Sequence, residues 1–335
     1  MILPIETLLL LLVVILAFVS LWIRDLMSSV VVFGAYSFLM CLIWTAMGAV
    51  DVAFTEAAVG AGVSTVFFIA VLLNTTRRIH FNPLDLSSKI MATFLCASVG
   101  YFLFLGISDL PQWGNPYAPV NANVSSYYVE HAYEDTKVPN LVTAVLADYR
   151  SFDTMFETCV VFIAVLGIYM LLKKEDAETE TLQSPDSQSE DSLVIRVASR
   201  FMVPFIQLFG FYVVAHGHYS PGGGFQGGVI LGASLILLAM GFDMAYVKRL
   251  LNMKRMIVLS AVGVFIFAGW GLIPVLLGHH FLDYSAWAKL LPTDAIMARY
   301  HSMLAVEVGV ALTVMCGMYG IYMSLVSDGK FDKGL

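Results

Sequence analysis

Acidic side chains within long apolar segments are the residues of this sequence whose chemistry is most informative. Glu56 lies in DVAFTEAAVGAGVST, Glu157 in SFDTMFETCVVFIAVLGIYM and Glu307 in YHSMLAVEVGVALTV. An ionisable group is costly to keep inside a bilayer, so such groups usually mark ion or proton pathways. A carboxylate in such a place can hold either a cation or a proton, and the two compete for it.

Glu56 follows a second acid, Asp51, and precedes a run of small residues. Residues 57–64 read AAVGAGVS, and small side chains let a neighbouring helix approach closely. The glycines also permit a local π-bulge, which would free backbone carbonyls for a cation or water. Two interpretations stay open: Glu56 binds a cation or a proton, or it is an interfacial acid that reaches the outer water beside Asp51.

The other acids also carry alternative interpretations. Asp153 and Glu157 are four residues apart and would share one face of a helix. Thr154 and Glu157 equally fit a capping box, in which the glutamate satisfies the start of its own helix. Glu307 is a further candidate for an ion path, whereas Asp243 is expected to be an interfacial anchor.

A glycine-rich segment, HGHYSPGGGFQGG, runs from His216 to Gly228. Proline followed by three glycines cannot continue a helix, and glycine permits backbone conformations with positive φ. The segment is not a phosphate loop, because it lacks the GK[ST] ending. We expect a tight re-entrant turn that shapes an outer vestibule or locks this part of the chain to a neighbour, with Gln226 as a neutral polar contact.

Histidines and cysteines give no clear metal site. Haem ligation would need histidines deep in facing helices, and the four cysteines lie singly in different spans without a CxxC motif. We expect wet surface histidines, with a zinc cluster or pH sensing as alternatives, and no metal or cofactor. Five of the seven histidines fall at the outer ends of predicted spans: His216, His218, His279, His280 and His301.

The composition requires these residues to be positioned by membrane helices. Of 335 residues, 59% are hydrophobic and 13% are charged, too few charges for a water-soluble surface. The sequence therefore predicts an all-α polytopic membrane protein. Apolar runs of about 20 residues predict nine spanning helices, at 3–23, 28–50, 52–73, 89–107, 154–172, 194–215, 225–246, 256–277 and 301–326.

Basic residues predict the orientation of these helices. With the N-terminus outside, 14 lysines and arginines fall in cytoplasmic loops and 4 in outer loops. We therefore expect the N-terminus outside and the C-terminus in the cytoplasm. The net charge of -7 argues against a nucleic-acid binder.

Composition shifts divide the chain into modules of three, two and four helices, at 1–80, 81–172 and 193–335. Residues 173–192 carry seven acids and two lysines, which predicts a disordered cytoplasmic tether and accounts for most of the net charge. In the second module, the tract from Pro139 to Phe152 is expected to form an amphipathic helix at the outer interface.

Three motifs make the sequence similar to known families. The segment HGHYSPGGGFQGG resembles the MnhB/MrpB family of multisubunit Na⁺/H⁺ antiporters, over roughly 193–330. The motif TEAAVGAGVST resembles an MbhD-type module and YRSFDTMFETCVVFIAVLGIY an MbhE-type module of membrane-bound hydrogenases. The resemblance assigns an outer-loop signature comprising His218, Pro221, Gly222, Gly223, Gly224, Phe225 and Gln226.

The resemblance implies a subunit, not an enzyme or a self-sufficient antiporter, in a bacterial or archaeal plasma membrane. Na⁺ and H⁺ would be transported, with Glu56 and Glu157 on the sodium path. From the residues alone, without the resemblance, Asp51, Asp153 and Glu307 are further candidates for that path. The implied partners are other membrane subunits of an Mrp-type or hydrogenase-type complex, including large antiporter-like subunits and a small MrpC-like subunit, together with the lipid bilayer.

Two alternatives remain at this point. The chain would be the sodium module of a membrane-bound hydrogenase or a related redox-driven pump, or it would be a structural scaffold whose acids are caps and anchors. The first two modules often form the tail of the large antiporter subunit, whereas here they precede the MnhB-like module, so the type of complex stays open.

Overall fold

A computed structural model of the protein describes residues 5–79, 85–112, 114–173, 191–242, 247 and 249–327. Within these ranges the chain is all-α, as predicted, and nine helices are long and apolar enough to cross a membrane. They are Ile5–Trp22 (α1), Leu26–Ala46 (α2), Val50–Leu73 (α3), Leu86–Ser108 (α4), Ser151–Leu172 (α5), Asp191–His216 (α6), Gly224–Gly241 (α7), Met253–Leu276 (α8) and Ala295–Val326 (α9).

The chain forms two compact units. The first unit comprises Met1–Arg77 and Ala132–Leu335 and contains every spanning helix except α4. The second unit, Arg78–His131, contains α4, the short helix Pro119–Ala122 and most of the helix Val124–Thr136. All the sites described below belong to the first unit.

The last spanning helix begins earlier than predicted. Asp294 caps α9 by accepting a hydrogen bond from the Met297 amide at 3.3 Å, so the helix starts six residues before position 301. Glu307 therefore lies about 18 Å along α9, from a rise of 1.5 Å per residue. The predicted anchor Asp243 and almost all of the predicted tether at 173–192 lie outside the described residues.

The small-residue stretch of α3 adopts the irregular helix that its glycines allow. Residues Ala57–Val63 form a π-helix between the α-helical segments Val50–Glu56 and Ser64–Leu73. The π-bulge predicted from the glycines of this stretch, Gly60 and Gly62, is confirmed.

Helices α7 and α9 are the most buried spans and form the centre of the first unit. Gly228 of α7 lies against the Ala311 backbone of α9, and Gly232 lies against the backbone of Met315. These two glycines, four residues apart on α7, thus face α9, where a larger side chain would force the helices apart. Dispersion contacts at such close approach are a main source of helix association in a bilayer.

Helix α8 crosses α9 where Gly263 of α8 lies against Gly309 of α9. Beside them, Ser260 and Thr313 exchange hydrogen bonds: each hydroxyl donates to the backbone carbonyl of the other residue, at 3.2 and 3.0 Å. The crossing therefore combines close backbone approach with satisfied polar groups.

The connection before α5 is helical, as predicted for the tract from Pro139 to Phe152. Leu141–Ala144 is α-helical, and a π-turn follows at Val145–Tyr149. Ala144 and Ala147 are buried, whereas Leu141 is exposed, so the tract has an inner and an outer side. It lies at the end of the first unit that also holds residues 217–223, which we call the loop end.

Substituting Gly263→Ala is expected to destabilise the crossing of α8 and α9. The new methyl group would overlap Thr313 Oγ1 and the Gly309 carbonyl, at a cost of about 1–3 kcal/mol in free energy of unfolding. The matched control is Gly269→Ala on the same helix, because Gly269 has no neighbour within 4 Å of the added atom. Thermal unfolding of the purified full chain in detergent measures both, and equal midpoints would contradict the close crossing.

Candidate functional site

A cavity of about 160 Å³ lies directly beneath the glycine-rich segment in the first unit. Its acids and amide are Asp51 of α3, Glu157 of α5, Gln226 of α7 and Glu307 of α9, and three threonines, Thr55, Thr143 and Thr154, complete its polar lining. Each of the three predicted modules thus contributes at least one acid or amide. Three of the five predicted ion-path acids line this single cavity.

The glycines after Pro221 allow the chain to turn back against α9. Gly223 has φ +126°, a conformation that L side chains rarely adopt. A Cβ atom on Gly224 would overlap the carbonyl oxygen of Glu307, so only glycine permits this contact between α7 and α9. The close approach places the start of α7 beside the Glu307 side chain.

The other residues of the predicted loop signature lie in different surroundings. Pro221 is exposed, Phe225 packs against the hydrophobic core, and Gln226 is 9% exposed and faces the cavity. The Gln226 Nε2 atom donates a hydrogen bond to Thr55 Oγ1 at 3.0 Å. The predicted neutral polar contact of Gln226 is therefore made to α3.

Asn140 and Thr143 hold the turn in place. The Asn140 Nδ2 atom donates to the carbonyl oxygens of Gly217 and Ser220 at 3.1 and 3.0 Å. Thr143 Oγ1 donates to the same Gly217 carbonyl at 2.8 Å. The turn of the third module is thus fixed by side chains of the second.

Asp51 connects the turn to the first module. Its Oδ1 atom accepts the Gly222 amide at 3.3 Å and Asn140 Nδ2 at 3.4 Å. The carboxylate therefore bridges two other parts of the chain and is not simply directed to water.

Glu307 is buried without a counter-charge. It is 7% exposed, and its Oε2 atom has no hydrogen-bond partner in the part of the chain that the structure describes. Among the described residues that line the cavity, none is Lys, Arg or His. A buried carboxylate in this situation must be neutralised by a proton or by a cation.

Glu157 lines the cavity from its open side. The residue is exposed on the surface of this chain, so the cavity reaches the flank of α5. Helix α5 already begins at Ser151, and the Thr154 hydroxyl donates to the Leu146 carbonyl at 2.8 Å. The capping-box interpretation is wrong, because Thr154 and Glu157 lie within the helix and do not start it.

Glu56 is not brought to this cavity. A methyl group at Gly60 would overlap the Glu56 carboxylate and lie 3.0 Å from Ser37 Oγ of α2. The carboxylate therefore lies along the π-helical part of its own helix, on the side of α2.

Asp153 also lies away from the cavity, on the surface of the chain. It forms an ion pair of 2.5 Å with Arg150, and both side chains are more than half exposed. Such exposed pairs contribute little to stability.

The neighbours of the loop-end histidines bear on the alternative of a zinc cluster. In the described ranges, no three of the His, Cys, Asp and Glu side chains are grouped so that they could hold a metal ion. His218 is 2% exposed rather than wet, and its ring packs edge-on against Tyr300 at 4.5 Å between centroids. Burial lowers the pKa of His218 to about 4, with a further contribution from His301, so His218 is neutral at physiological pH.

A second polar cluster at the loop end was not found from the sequence. The Arg299 guanidinium donates to both carboxylate oxygens of Asp148, and Tyr149 donates to Asp135 at 2.6 Å. Burial raises the pKa of Asp148, while the hydrogen bond from Arg299 opposes that shift. Arg299 and Asp148 are more than 150 residues apart in the sequence, so no local sequence pattern indicates that they form an ion pair.

Substituting Asn140→Ala is expected to loosen the turn. It removes the hydrogen bonds to the carbonyls of Gly217 and Ser220, of which only Gly217 keeps a second side-chain donor, Thr143. The expected cost is about 1–3 kcal/mol. Hydrogen exchange of peptides covering residues 217–223 should become faster. Asn74→Ala is the control, because Asn74 makes a single exposed bond to Leu325; equal exchange in both variants would refute the role of Asn140.

Substituting Arg299→Met is expected to be strongly destabilising. It leaves the Asp148 side chain, which is 5% exposed, without its cation, and removing one partner of a buried pair costs about 3–5 kcal/mol. Arg150→Met removes an exposed pair and should cost about 1 kcal/mol or less. Denaturation of the two purified variants compares them directly, and similar losses of stability would count against a buried pair.

Three family models match this chain. A domain related to the MnhB subunit of Na⁺/H⁺ antiporters matches residues 194–320. The models described as subunits D and E of MBH match residues 11–77 and 116–189.

A longer relative and a solved structure each match most of this chain. A probable K⁺/H⁺ antiporter A/B subunit of Rhizobium meliloti is 24% identical over 79% of this chain, which spans 28% of that protein. The structure of the Mrp complex from Dietzia sp. DQ12-45-1b contains a chain with the same fold, at a TM-score of 0.77 and 24% identity. That match covers 99% of this chain and 36% of the other.

A shorter relative matches over almost its whole length. The putative mnhB2 antiporter protein of Staphylococcus haemolyticus is 33% identical over 145 residues, which are 42% of this chain and 98% of that protein. On this match, the chain belongs to the MnhB family of antiporter subunits.

Proposed function

We propose that this chain is a non-catalytic membrane subunit of a cation/proton antiporter complex and that it forms part of the cation path. The observation that carries the proposal is the meeting of Asp51, Glu157 and Glu307 at one cavity whose described lining holds no base. Membership of the MnhB family supports the same conclusion. The chain spans 28% of its Rhizobium meliloti relative, so transport itself is assigned to the complex.

The exposure of Glu157 supports the presence of another protein beside this flank. A charged side chain that faces lipid within a bilayer is costly, so water or a second protein surface should cover Glu157. The proposed partners are large antiporter-like subunits and a small MrpC-like subunit, with lipid around the remaining surface.

The proposed setting is the plasma membrane of a bacterium or archaeon. The sorting of 14 basic residues against 4 supports an outer N-terminus and a cytoplasmic C-terminus. The loop end then faces the outside, with the cavity directly beneath it.

The transported cation is proposed to be Na⁺. The matching family model is named for Na⁺/H⁺ exchange, whereas the Rhizobium meliloti relative is named for K⁺/H⁺ exchange. Transport assays should therefore compare NaCl with KCl.

A redox-driven pump is the second candidate. The matches to MBH subunits D and E support it, because they cover the first two modules. Purification of the native complex through a tag on this chain separates the candidates: large antiporter subunits alone support the first, whereas nickel- or iron–sulfur-containing subunits support the second.

Substituting Glu157→Gln is expected to remove Na⁺-dependent dissipation of ΔpH in vesicles that contain the complex, while the complex still assembles. The matched control is Asp153→Asn, four residues earlier on α5, where the acid is paired with Arg150 outside the cavity. Normal transport in Glu157→Gln would contradict the assignment of this acid to the cation path.

Substituting Glu56→Gln separates two versions of the path. Loss of transport in an assembled complex would place Glu56 on the path, as the sequence predicts, and retained transport would confine the path to the cavity. If all the acid variants change assembly but leave transport intact, the chain is a structural scaffold.

A further inference from the structure

Two side-chain oxygens face the same unoccupied position beside Gly223. The point where a Cβ atom would stand on Gly223 lies 3.3 Å from Glu307 Oε1 and 3.6 Å from Gln226 Oε1. Because Gly223 has no side chain and a φ of +126°, this position stays free. It belongs to the cavity that all three residues line.

The orientation of the Gln226 amide follows from its partner. The Thr55 hydroxyl donates its only proton to the Asp51 carbonyl at 3.0 Å, so its oxygen can only accept at the other side. The Gln226 group that contacts it must therefore be the N–H, as the 3.0 Å bond from Nε2 requires. The amide oxygen is then left to face Gly223 and Glu307.

The charge of the site calls for a cation. Glu307 is 7% exposed, and its Oε2 atom has no hydrogen-bond partner among the described residues. A carboxylate and an amide oxygen are hard ligands of the kind that bind alkali and alkaline-earth cations. An anion would be repelled by Glu307 and Asp51.

The size of the site sets the hydration of that cation. The cavity volume is about 160 Å³, whereas one water molecule needs roughly 10–15 Å³ of such space. Two protein oxygens do not complete a coordination shell, and the remaining volume holds several waters. Of the three acids that line the cavity, Glu307 alone is buried, whereas Asp51 is half-buried and Glu157 is exposed. One buried carboxylate balances one positive charge, which favours a monovalent over a divalent ion.

We propose that the position beside Gly223 is a binding site for a partly hydrated monovalent cation, held between the Glu307 carboxylate and the Gln226 amide oxygen. The inference rests on the proposed function and locates the cation within it. Because a proton and the cation use the same carboxylate, binding of the cation displaces the proton from Glu307.

Carbodiimide labelling of the assembled complex tests the site without measuring transport. Dicyclohexylcarbodiimide reacts with protonated buried carboxyl groups, and mass spectrometry of the labelled chain reports the modified residue. We expect label on Glu307 in choline chloride and protection by NaCl, with KCl measured in parallel. Label that neither salt reduces would overturn the proposal.

Two variants test the ligands individually. Gln226→Leu should leave Glu307 open to label but raise the NaCl concentration for half-protection about tenfold, which corresponds to about 1.4 kcal/mol of lost binding. Gly223→Ala places a methyl group at the proposed cation position and should abolish protection. Gly278→Ala is its control, since Gly278 also has a positive φ but no neighbour within 4 Å of the added atom.

Transport provides a second measurement that does not depend on labelling. If Glu307 takes no label, an unchanged apparent affinity for Na⁺ in Gln226→Leu and in Glu307→Gln would overturn the site, and a loss in both would support it. If Glu307 is protected in a complex that shows no antiport, the cation site is supported and the proposed function is refuted. If antiport depends on Glu157 but not on Gln226 or Glu307, the proposed function is supported and the cation site is refuted.

Discussion

The contact between Gly224 and the backbone of Glu307 is the constraint on which the candidate site depends. It brings the start of α7 against α9 at the depth where the acid lies, and no side chain larger than hydrogen fits between them. The turn before α7 is therefore forced back over the cavity, where Asn140, Thr143 and Asp51 hold it. Without this approach, Gln226 and Glu307 would face different surroundings.

The architecture was largely predictable because each spanning helix is a local property of the sequence. Runs of about 20 apolar residues predicted the nine spanning helices of the described residues, and Gly60 and Gly62 of α3 indicated the π-helix that the structure contains. Where a boundary was missed, as at Ala295, a single capping aspartate extended the helix beyond its apolar run.

The site was only partly predictable, because its partners come from distant parts of the chain. Acids in apolar segments are visible in sequence, and Asp51, Glu157 and Glu307 meet at the cavity, but Glu56 lies along its own helix, which no spacing rule indicates. Asn140 and Thr143 carried no signal, since polar residues in a connecting tract are ordinary. The Thr154 capping motif misled because helix α5 was already started three residues earlier.

The π-helix of α3 also determines in which directions the residues before it and after it face. Asp51 and Thr55 precede it and face the turn and the cavity, whereas Val63 and Ala70, at and beyond its end, pack into the core. A stretch with i→i+5 hydrogen bonds interrupts the 3.6-residue period, so its length determines the angular phase between these two surfaces. Inserting or deleting one residue between positions 57 and 63 would rotate the membrane-embedded half of α3 against its acidic half. At this place the number of residues therefore matters more to the cavity than the identity of any one of them.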